Sequence, residues 1–151
     1  MQPQPVGKVL AIAVRTAQRG PMKEVAEAAA TPDAGLTGDI TVTKDRGISL
    51  ISATQWEQVT RELRADLPWH TRRANVLIDS DSLGALIGRT VRLGELLLHV
   101  TAETKPCALM DKLHQGLRQA LVPDFRGGIL ARVIEGGRIR VGDQLSVATV
   151  A

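Results

Sequence analysis

The chain has 151 residues, of which 44% are hydrophobic and 23% are charged, a composition typical of one globular domain with a buried core. Its one cysteine excludes an intramolecular disulfide, and its longest apolar runs are far too short to cross a bilayer. The first residues lack the charged-then-apolar order of a signal peptide. We therefore expect a cytoplasmic protein with a single domain over residues 1–151.

The charge pattern favours a small anionic ligand over nucleic acid. The formal net charge is +3 and the pI is near 9.5, which suggests attraction to anions, although most arginines of a globular protein are solvated surface charges. Aromatic residues make up only 2% of the chain and leave few rings to stack on bases. We therefore expect no nucleic-acid partner.

The first third of the chain predicts one central strand followed by less regular structure. Val6–Val14 is apolar on both faces, which favours a strand buried on both sides. The alanines and glutamates of Pro21–Ala30 favour a helix by propensity. Thr31–Asp39 has the Pro and Gly spacing of a structured loop whose backbone N–H groups could bind an anion. Asp39–Thr43 and Gly47–Ile51 are predicted to pair as a hairpin.

An amphipathic helix is predicted next. The segment Ser52-Ala-Thr-Gln55 matches the capping-box pattern, and the apolar residues after it recur at helical spacing until Pro68. We expect this helix to run from about Ala53 to about Asp66, with Trp56 as a core anchor.

The second half of the chain predicts short strands separated by glycine-rich turns. The predicted strands are Val76–Ile78, Thr90–Leu93, Glu95–Thr101, the two arms of a hairpin turning at Gly136–Gly137, and Gln144–Val147. Short helical turns are predicted at Leu83–Ile87 and Gly116–Leu121. His99 is interpreted as a strand residue rather than a metal ligand. Many short strands with few helices favour a mainly β barrel or sandwich.

The cysteine, Cys107, lies in a segment that also carries Lys105 and Asp111. A thiol acts as a nucleophile or metal ligand in its thiolate form, which cationic neighbours favour. Because Pro106 cannot donate to a β-ladder, the preceding strand should end there and leave Cys107 on a connection, where functional residues concentrate. The alternative is that Cys107 is a small buried hydrophobic residue, as most free cysteines are.

Two arginines, Arg72 and Arg73, precede the predicted strand at Val76. A guanidinium can hold a carboxylate or a phosphate through two parallel hydrogen bonds. Both arginines are therefore candidates for binding an anion.

An ordered set of motifs along the chain resembles the MOSC domain, which is named after the carboxy-terminal domain of molybdenum cofactor sulfurases. The motifs are Gly35-Leu-Thr-Gly-Asp39, Asp45-Arg46 before Ile48-Ser-Leu-Ile-Ser52, Arg73-Ala-Asn-Val76, Leu83 with Leu86-Ile-Gly88, Pro106-Cys107, Gly116-Leu117, Arg126-Gly-Gly-Ile129 and Gly136-Gly-Arg-Ile-Arg-Val-Gly-Asp143. Each is weak alone, because Gly-Asp and Gly-Gly are common in turns. The ordered set, from about Val6 to about Val147, is specific.

This resemblance implies a mainly β fold, a MOSC-type β-barrel with a few short helices. It makes Met22–Ala29 extended, against the alanine propensity. It also implies a link to the molybdenum cofactor (molybdopterin), a pterin dithiolene with a terminal phosphate. Pyridoxal phosphate would be bound only by a separate cysteine desulfurase and not by this chain. The implied partners are such a desulfurase or a molybdoenzyme.

The resemblance also implies roles for individual residues. By position, Cys107 is the sulfur acceptor or a molybdenum ligand. The implied contacts to the anionic cofactor are Lys105, Arg72, Arg73 and Arg126, and the implied polar groups that shape the site are Asn75, Asp39 and Asp111. Asp39 and Asn75 could instead bond only to the backbone of turns. Some longer relatives carry a His-Gly-Gly after the Gly-Asp motif, which is missing here, so the role of that histidine does not transfer.

Several activities stay open at this point. The first is a sulfur carrier or cofactor-binding protein that acts through Cys107. A second is a reductase of N-hydroxylated compounds, which would need an external electron donor because the chain has no cysteine set for an Fe–S cluster. A non-catalytic carrier of the cofactor is a third, and a scaffold is the last.

Overall fold

The structure is a computed structural model that describes residues 5–17, 20–32, 34–40 and 47–148. The strands are β1 (Pro5–Arg15), β2 (Met22–Val25), β3 (Glu27–Ala30), β4 (Ile48–Ser52), β5 (Val76–Ile78), β6 (Thr90–Leu93), β7 (Leu96–Glu103), β8 (Ile129–Glu135), β9 (Gly137–Arg140) and β10 (Gln144–Val147). The α-helices are α1 (Ala53–Leu63), α2 (Ala108–Leu113) and α3 (Leu117–Ala120), and short 3₁₀ turns lie at Trp69–Arg72, Gly84–Leu86 and Pro123–Phe125. None of the helices among these residues has the length and hydrophobicity needed to span a membrane.

Seven strands close into a barrel, which confirms the predicted mainly β fold. The ring runs β1, β10, β6, β7, β8, β4, β5 and back to β1, and β2 adds to β1 outside the ring. The pairing of β4 with β5 is parallel, while the other pairs in the ring are antiparallel. Closure leaves no unpaired edges within the ring, because each strand has two neighbours.

The long first strand holds the barrel together. Its first residues pair with β10, its middle pairs with β5 and its last four residues pair with β2. The chain needs a glycine where β1 passes β5, because a Cβ on Gly7 would lie only 2.5 Å from Cγ2 of Ile78. The predicted central strand is thus confirmed, but its expected burial on both sides is wrong for the first half of β1, where Val6 and Leu10 are exposed.

Two local predictions are wrong because long-range pairing overrides local preference. The alanine-rich segment is extended as β2 and β3, as the family resemblance implied, and not helical. Strands β8 and β9 do not form the predicted hairpin at Gly136–Gly137, since β9 pairs with β3 in a separate two-stranded sheet and β8 pairs with β4 and β7. β2 is held by the end of β1, and β3 and β9 pair in a register that places Glu27 opposite Arg140, far away in the sequence.

The other predicted hairpin falls mainly outside the described residues. Asp39 and Ile40 are not in a strand, and the rest of that predicted strand and its turn lie in residues 41–46. The second arm is confirmed as β4, with β5 and β8 as its neighbours.

Two apolar cores stabilise the fold. One fills the barrel, where the side chains of β7 alternate between buried and partly exposed. The other lies under α1 and includes Trp56, Val59, Met110 and Leu117. Helix α1 begins as predicted, because the Ser52 side chain accepts a hydrogen bond from the Gln55 N–H, and it ends at Leu63 rather than near Asp66 because Arg64 has a positive φ of 52°. The indole of Trp56 is buried as expected and donates to the carbonyl oxygen of Leu67.

Candidate functional site

Cys107 lies on the connection after β7, as the position of Pro106 predicted. The strand ends at Glu103, and Cys107 occupies the N-cap position of α2 with extended backbone angles of φ −117° and ψ 177°. Its carbonyl oxygen accepts a hydrogen bond from the Met110 N–H at 3.0 Å, while its side chain makes no capping bond. The thiol is exposed, so the alternative of a buried hydrophobic residue is wrong.

A cleft of about 250 Å³ opens beside Cys107. Its wall consists of the end of β1, the segment before β5 and the start of α2, together with single residues of β4 and β8. The lining residues are Arg15, Ser49, Arg72, Arg73, Ala74, Thr104, Lys105, Cys107, Leu109, Met110 and Leu130. Four of the sequence-predicted residues therefore meet here, namely Cys107, Lys105, Arg72 and Arg73.

Arg72 supports the segment that carries the cysteine. Its side chain is buried, and it donates from Nε to the carbonyl oxygen of Gly127 at 3.0 Å and from Nη2 to that of Thr104 at 3.0 Å. A third contact runs from Nη1 to Sδ of Met110 at 3.7 Å. The guanidinium thus links the end of β7, the start of β8 and helix α2, so it fixes the shape of the cleft beneath Cys107.

Arg73 presents its positive charge to the cleft in a different way. Its backbone is left-handed, with φ 66°, and its guanidinium donates to the carbonyl oxygens of Gly20 and Ala17. Burial lowers the pKa of Arg73 below its ordinary value and the neighbouring Arg15 lowers it further, while Asp39 acts in the opposite direction. Because its direct hydrogen-bond acceptors are neutral carbonyls, an anion in the cleft would be attracted to Arg73.

Arg15 was not predicted as a site residue, although it lines the cleft. The antiparallel register places Ile12 opposite Val76, and continuing that register brings Arg15 beside Arg73. The signal in the sequence is a charged residue directly after the apolar run of residues 9–14. Only the pairing of β1 with β5 gives that signal a meaning.

Asp39 binds Arg15 behind the cleft. Its carboxylate accepts from Nε of Arg15 at 3.1 Å and from Nη2 at 3.2 Å, and the two side chains are 1% and 14% exposed. Asp39 also accepts a hydrogen bond from the Nδ2 group of Asn75 at 2.5 Å. The carboxylate therefore orients Arg15 and is not itself among the lining residues.

Asn75 is buried and links the backbone of β1 and β4 to that carboxylate. Its Oδ1 accepts from the Ser49 N–H at 3.1 Å, and its Nδ2 donates to the Ala13 carbonyl oxygen at 3.1 Å. Its own N–H donates to Oγ of Ser49 at 3.1 Å. Asn75 and Asp39 thus form one side-chain network, which is more than the contact with turn backbone that the sequence left open.

The two remaining predicted residues lie elsewhere. Arg126 binds the carboxylate of Glu62 at 2.6 and 3.0 Å and the Ala120 carbonyl oxygen at 3.1 Å. The hydrogen bond from Arg126 lowers the pKa of Glu62, and the same bond raises the pKa of Arg126. Asp111 accepts from the Arg118 N–H at 3.0 Å and joins α2 to α3. Neither Arg126 nor Asp111 lines the cleft.

Within the described residues, no three His, Cys, Asp or Glu side chains come together as a metal centre would require. His99 contacts Thr90 on the neighbouring strand, with 3.3 Å between Nδ1 and Oγ1, in agreement with its interpretation as a strand residue.

Comparison with known proteins gives the fold and the family of the chain. The fold is similar to the crystal structure of the YuaD protein from Bacillus subtilis, with a TM-score of 0.76, 16% identity and coverage of 96% of this chain and 97% of that chain. It is also similar to YiiM from Escherichia coli, with a TM-score of 0.71, 19% identity and coverage of 95% of this chain and 71% of that chain. At these identities the likeness shows the fold alone. Comparison with curated proteins gives no match.

The sequence comparison covers most of the domain. The profile of the MOSC domain matches residues 37–146, a range that includes Cys107, Arg73, Asp39 and Asn75 but not Arg15. The chain therefore belongs to the MOSC domain family, whose members are linked to molybdenum-cofactor biology.

Proposed function

We propose that this protein is a sulfur carrier for the molybdenum cofactor, which holds sulfur as a persulfide on Cys107 while the anionic part of the cofactor binds in the adjoining cleft. One observation carries the proposal: an exposed thiol shares a small cleft with the cationic side chains of Arg73 and Lys105. A thiolate is the nucleophilic form of cysteine, and the two cationic side chains would attract an anionic ligand into the same cleft.

The position of the cysteine supports a role in chemistry rather than in packing. Free cysteines are among the most buried residues, but Cys107 is exposed. It also occupies an N-cap, where Ser, Thr, Asp or Asn would satisfy a backbone N–H and stabilise the helix by about 1 kcal/mol. Because the thiol makes no capping bond, neither helix stability nor core packing accounts for a cysteine at this position.

Loading the thiol requires only exchange between sulfur atoms. The Cys107 thiolate would attack the terminal sulfur of a persulfide on a donor protein, such as a cysteine desulfurase. An S–S bond forms at Cys107, the S–S bond of the donor breaks, and the donor leaves as a thiolate, so no external oxidant is needed. An exposed thiol at the start of a helix is accessible to a protein donor, whereas a buried one would not be.

The residues around the cleft fit the chemistry of the cofactor. A soft thiolate suits sulfur or molybdenum, and guanidinium and ammonium groups suit a phosphate. The cofactor would supply the dithiolene and the metal, while Arg73 and Lys105 would hold its negative charge and Arg72 would keep Cys107 in place. The cleft volume of about 250 Å³ lies just below the range of small-molecule sites, so it would take one end of the cofactor.

The test is to purify the protein anaerobically from a host that makes the cofactor, as wild type, as Cys107→Ser and as the neighbouring control Ala108→Ser. Pterin and molybdenum content and intact mass are measured on the same samples. One additional sulfur atom on wild type and on Ala108→Ser, but not on Cys107→Ser, is expected. Molybdenum that is retained by wild type and lost from Cys107→Ser, without additional sulfur, would instead make Cys107 a metal ligand and refute the carrier role.

A further inference from the structure

A second cleft, of about 300 Å³, has Arg73 in its wall as well. Gly20, His70, Thr71 and Arg73 line it together with four apolar side chains. These apolar residues come from separate parts of the chain: Pro21 and Met22 at the start of β2, Leu67 before the first 3₁₀ turn, and Leu113 at the end of α2. Because Arg73 lines both clefts, the second cleft adjoins the cysteine site.

The second cleft combines an apolar wall with one fixed positive charge. Leu113 is 41% exposed, although a large apolar side chain gains from being covered. Arg73 is tied through its guanidinium to the carbonyl oxygen of Gly20, which also lines this cleft. The charge is therefore held against the apolar surface and does not extend freely into solvent.

Arg73 lies between the two clefts because it ends the 3₁₀ turn at Trp69–Arg72. Its backbone is left-handed, with φ 66°, and its N–H donates to the carbonyl oxygen of His70. This conformation costs a residue with a side chain about 1 kcal/mol or more. The turn thus ends on a residue that lines both clefts.

We propose that the second cleft binds a small organic anion, with its apolar body against Met22, Leu67 and Leu113 and its carboxylate on Arg73. A neutral apolar compound would leave the guanidinium without an anionic partner, and a multiply charged anion would place charge against the leucines. Binding of this anion does not depend on the proposed sulfur-carrier role of Cys107.

The probe is 1-naphthoate, compared with its neutral analogue 1-naphthamide, and binding is measured by calorimetry and by shifts in NMR spectra. The variant Leu113→Asn removes apolar surface from the cleft, and the control Ile134→Asn removes a side chain that is similarly exposed, at 39%, on β8 outside both clefts. We expect Leu113→Asn to weaken naphthoate binding about fivefold and Ile134→Asn to leave it unchanged. Arg73→Gln should make the two probes bind equally.

The proposal is overturned if naphthoate fails to bind saturably at millimolar concentration, if it binds no tighter than naphthamide, or if the leucine and isoleucine variants behave alike. Cys107→Ser separates this proposal from the proposed function. Its affinity for naphthoate should equal that of wild type, and a wild-type protein that binds naphthoate yet never acquires sulfur would contradict only the carrier role.

Discussion

Replacing Asp39 by alanine should destabilise the protein more than replacing any exposed aspartate by alanine. Asp39 is 1% exposed and its partner Arg15 is 14% exposed, and the carboxylate also accepts from Asn75. Asp39→Ala would leave a nearly buried guanidinium and a buried amide N–H without their acceptor.

The size of the effect follows from the burial of the pair. Removing one partner of a buried ion pair costs about 3–5 kcal/mol, and because Arg15 keeps some contact with water we expect about 3 kcal/mol. In a domain of this length that corresponds to a drop in Tm of roughly 6–12 °C. Asp39→Asn keeps an oxygen acceptor and should cost roughly half as much.

The assay is urea and thermal unfolding of Asp39→Ala, Arg15→Ala and the double variant, with the exposed Asp66→Ala as the matched control. The two single changes should be strongly non-additive, with a coupling energy of about 1.5–3 kcal/mol. If Asp39→Ala shifts Tm no more than Asp66→Ala does, the network does not support the cleft wall and the reasoning fails.

Three further predictions use the site and its surroundings. Cys107→Ser should fold normally and be more stable by up to about 1 kcal/mol in urea unfolding, since serine can cap α2; a clear loss of stability would contradict the assigned N-cap. Arg73→Gln should slow alkylation of Cys107 by iodoacetate relative to iodoacetamide by about two- to threefold, as the loss of roughly 0.5 kcal/mol of attraction to one positive charge would, whereas Arg92→Gln, outside the cleft, should not. Because the hydrogen bond from Arg126 holds the pKa of Glu62 below its ordinary 4.5, the stability that Glu62 contributes is present above pH 4.5 and is lost as pH falls through the folded-state value. The Tm of wild type should therefore exceed that of Glu62→Gln at pH 7, and this difference should vanish in acid. A difference that grew in acid would contradict the assigned lowering of the Glu62 pKa.

The parts of the fold that depend on local sequence could be predicted. Three such features depend only on neighbouring residues, and the structure confirms them: the apolar run that forms β1, the serine that caps α1, and the end of β7 before Pro106. The alanine-rich segment shows the limit of such reasoning. Its helix propensity is overridden because Ala28 and Ala30 are buried on a strand that pairs with β9.

The site could be predicted in part, where residue type and motif single out a side chain: Arg72 and Arg73 are far from Cys107 in the sequence, yet both line its cleft. Lys105 and Cys107 are two residues apart and share the cleft. Arg126 was implied by a motif, but its guanidinium is directed to Glu62 on α1. Arg15 was missed because it reaches Arg73 only through the pairing of β1 with β5, which no local pattern encodes.

The most direct test of the central claim is intact-mass spectrometry of the protein after anaerobic incubation with a cysteine desulfurase, pyridoxal phosphate and L-cysteine. The account predicts that wild type gains one sulfur atom, which a mild reductant removes, and that Arg72→Lys, which loosens the support of the segment carrying Cys107, gains it more slowly. Cys107→Ser should gain none. Sulfur that appears equally on wild type and Cys107→Ser, or on neither while the desulfurase is active, would contradict the account.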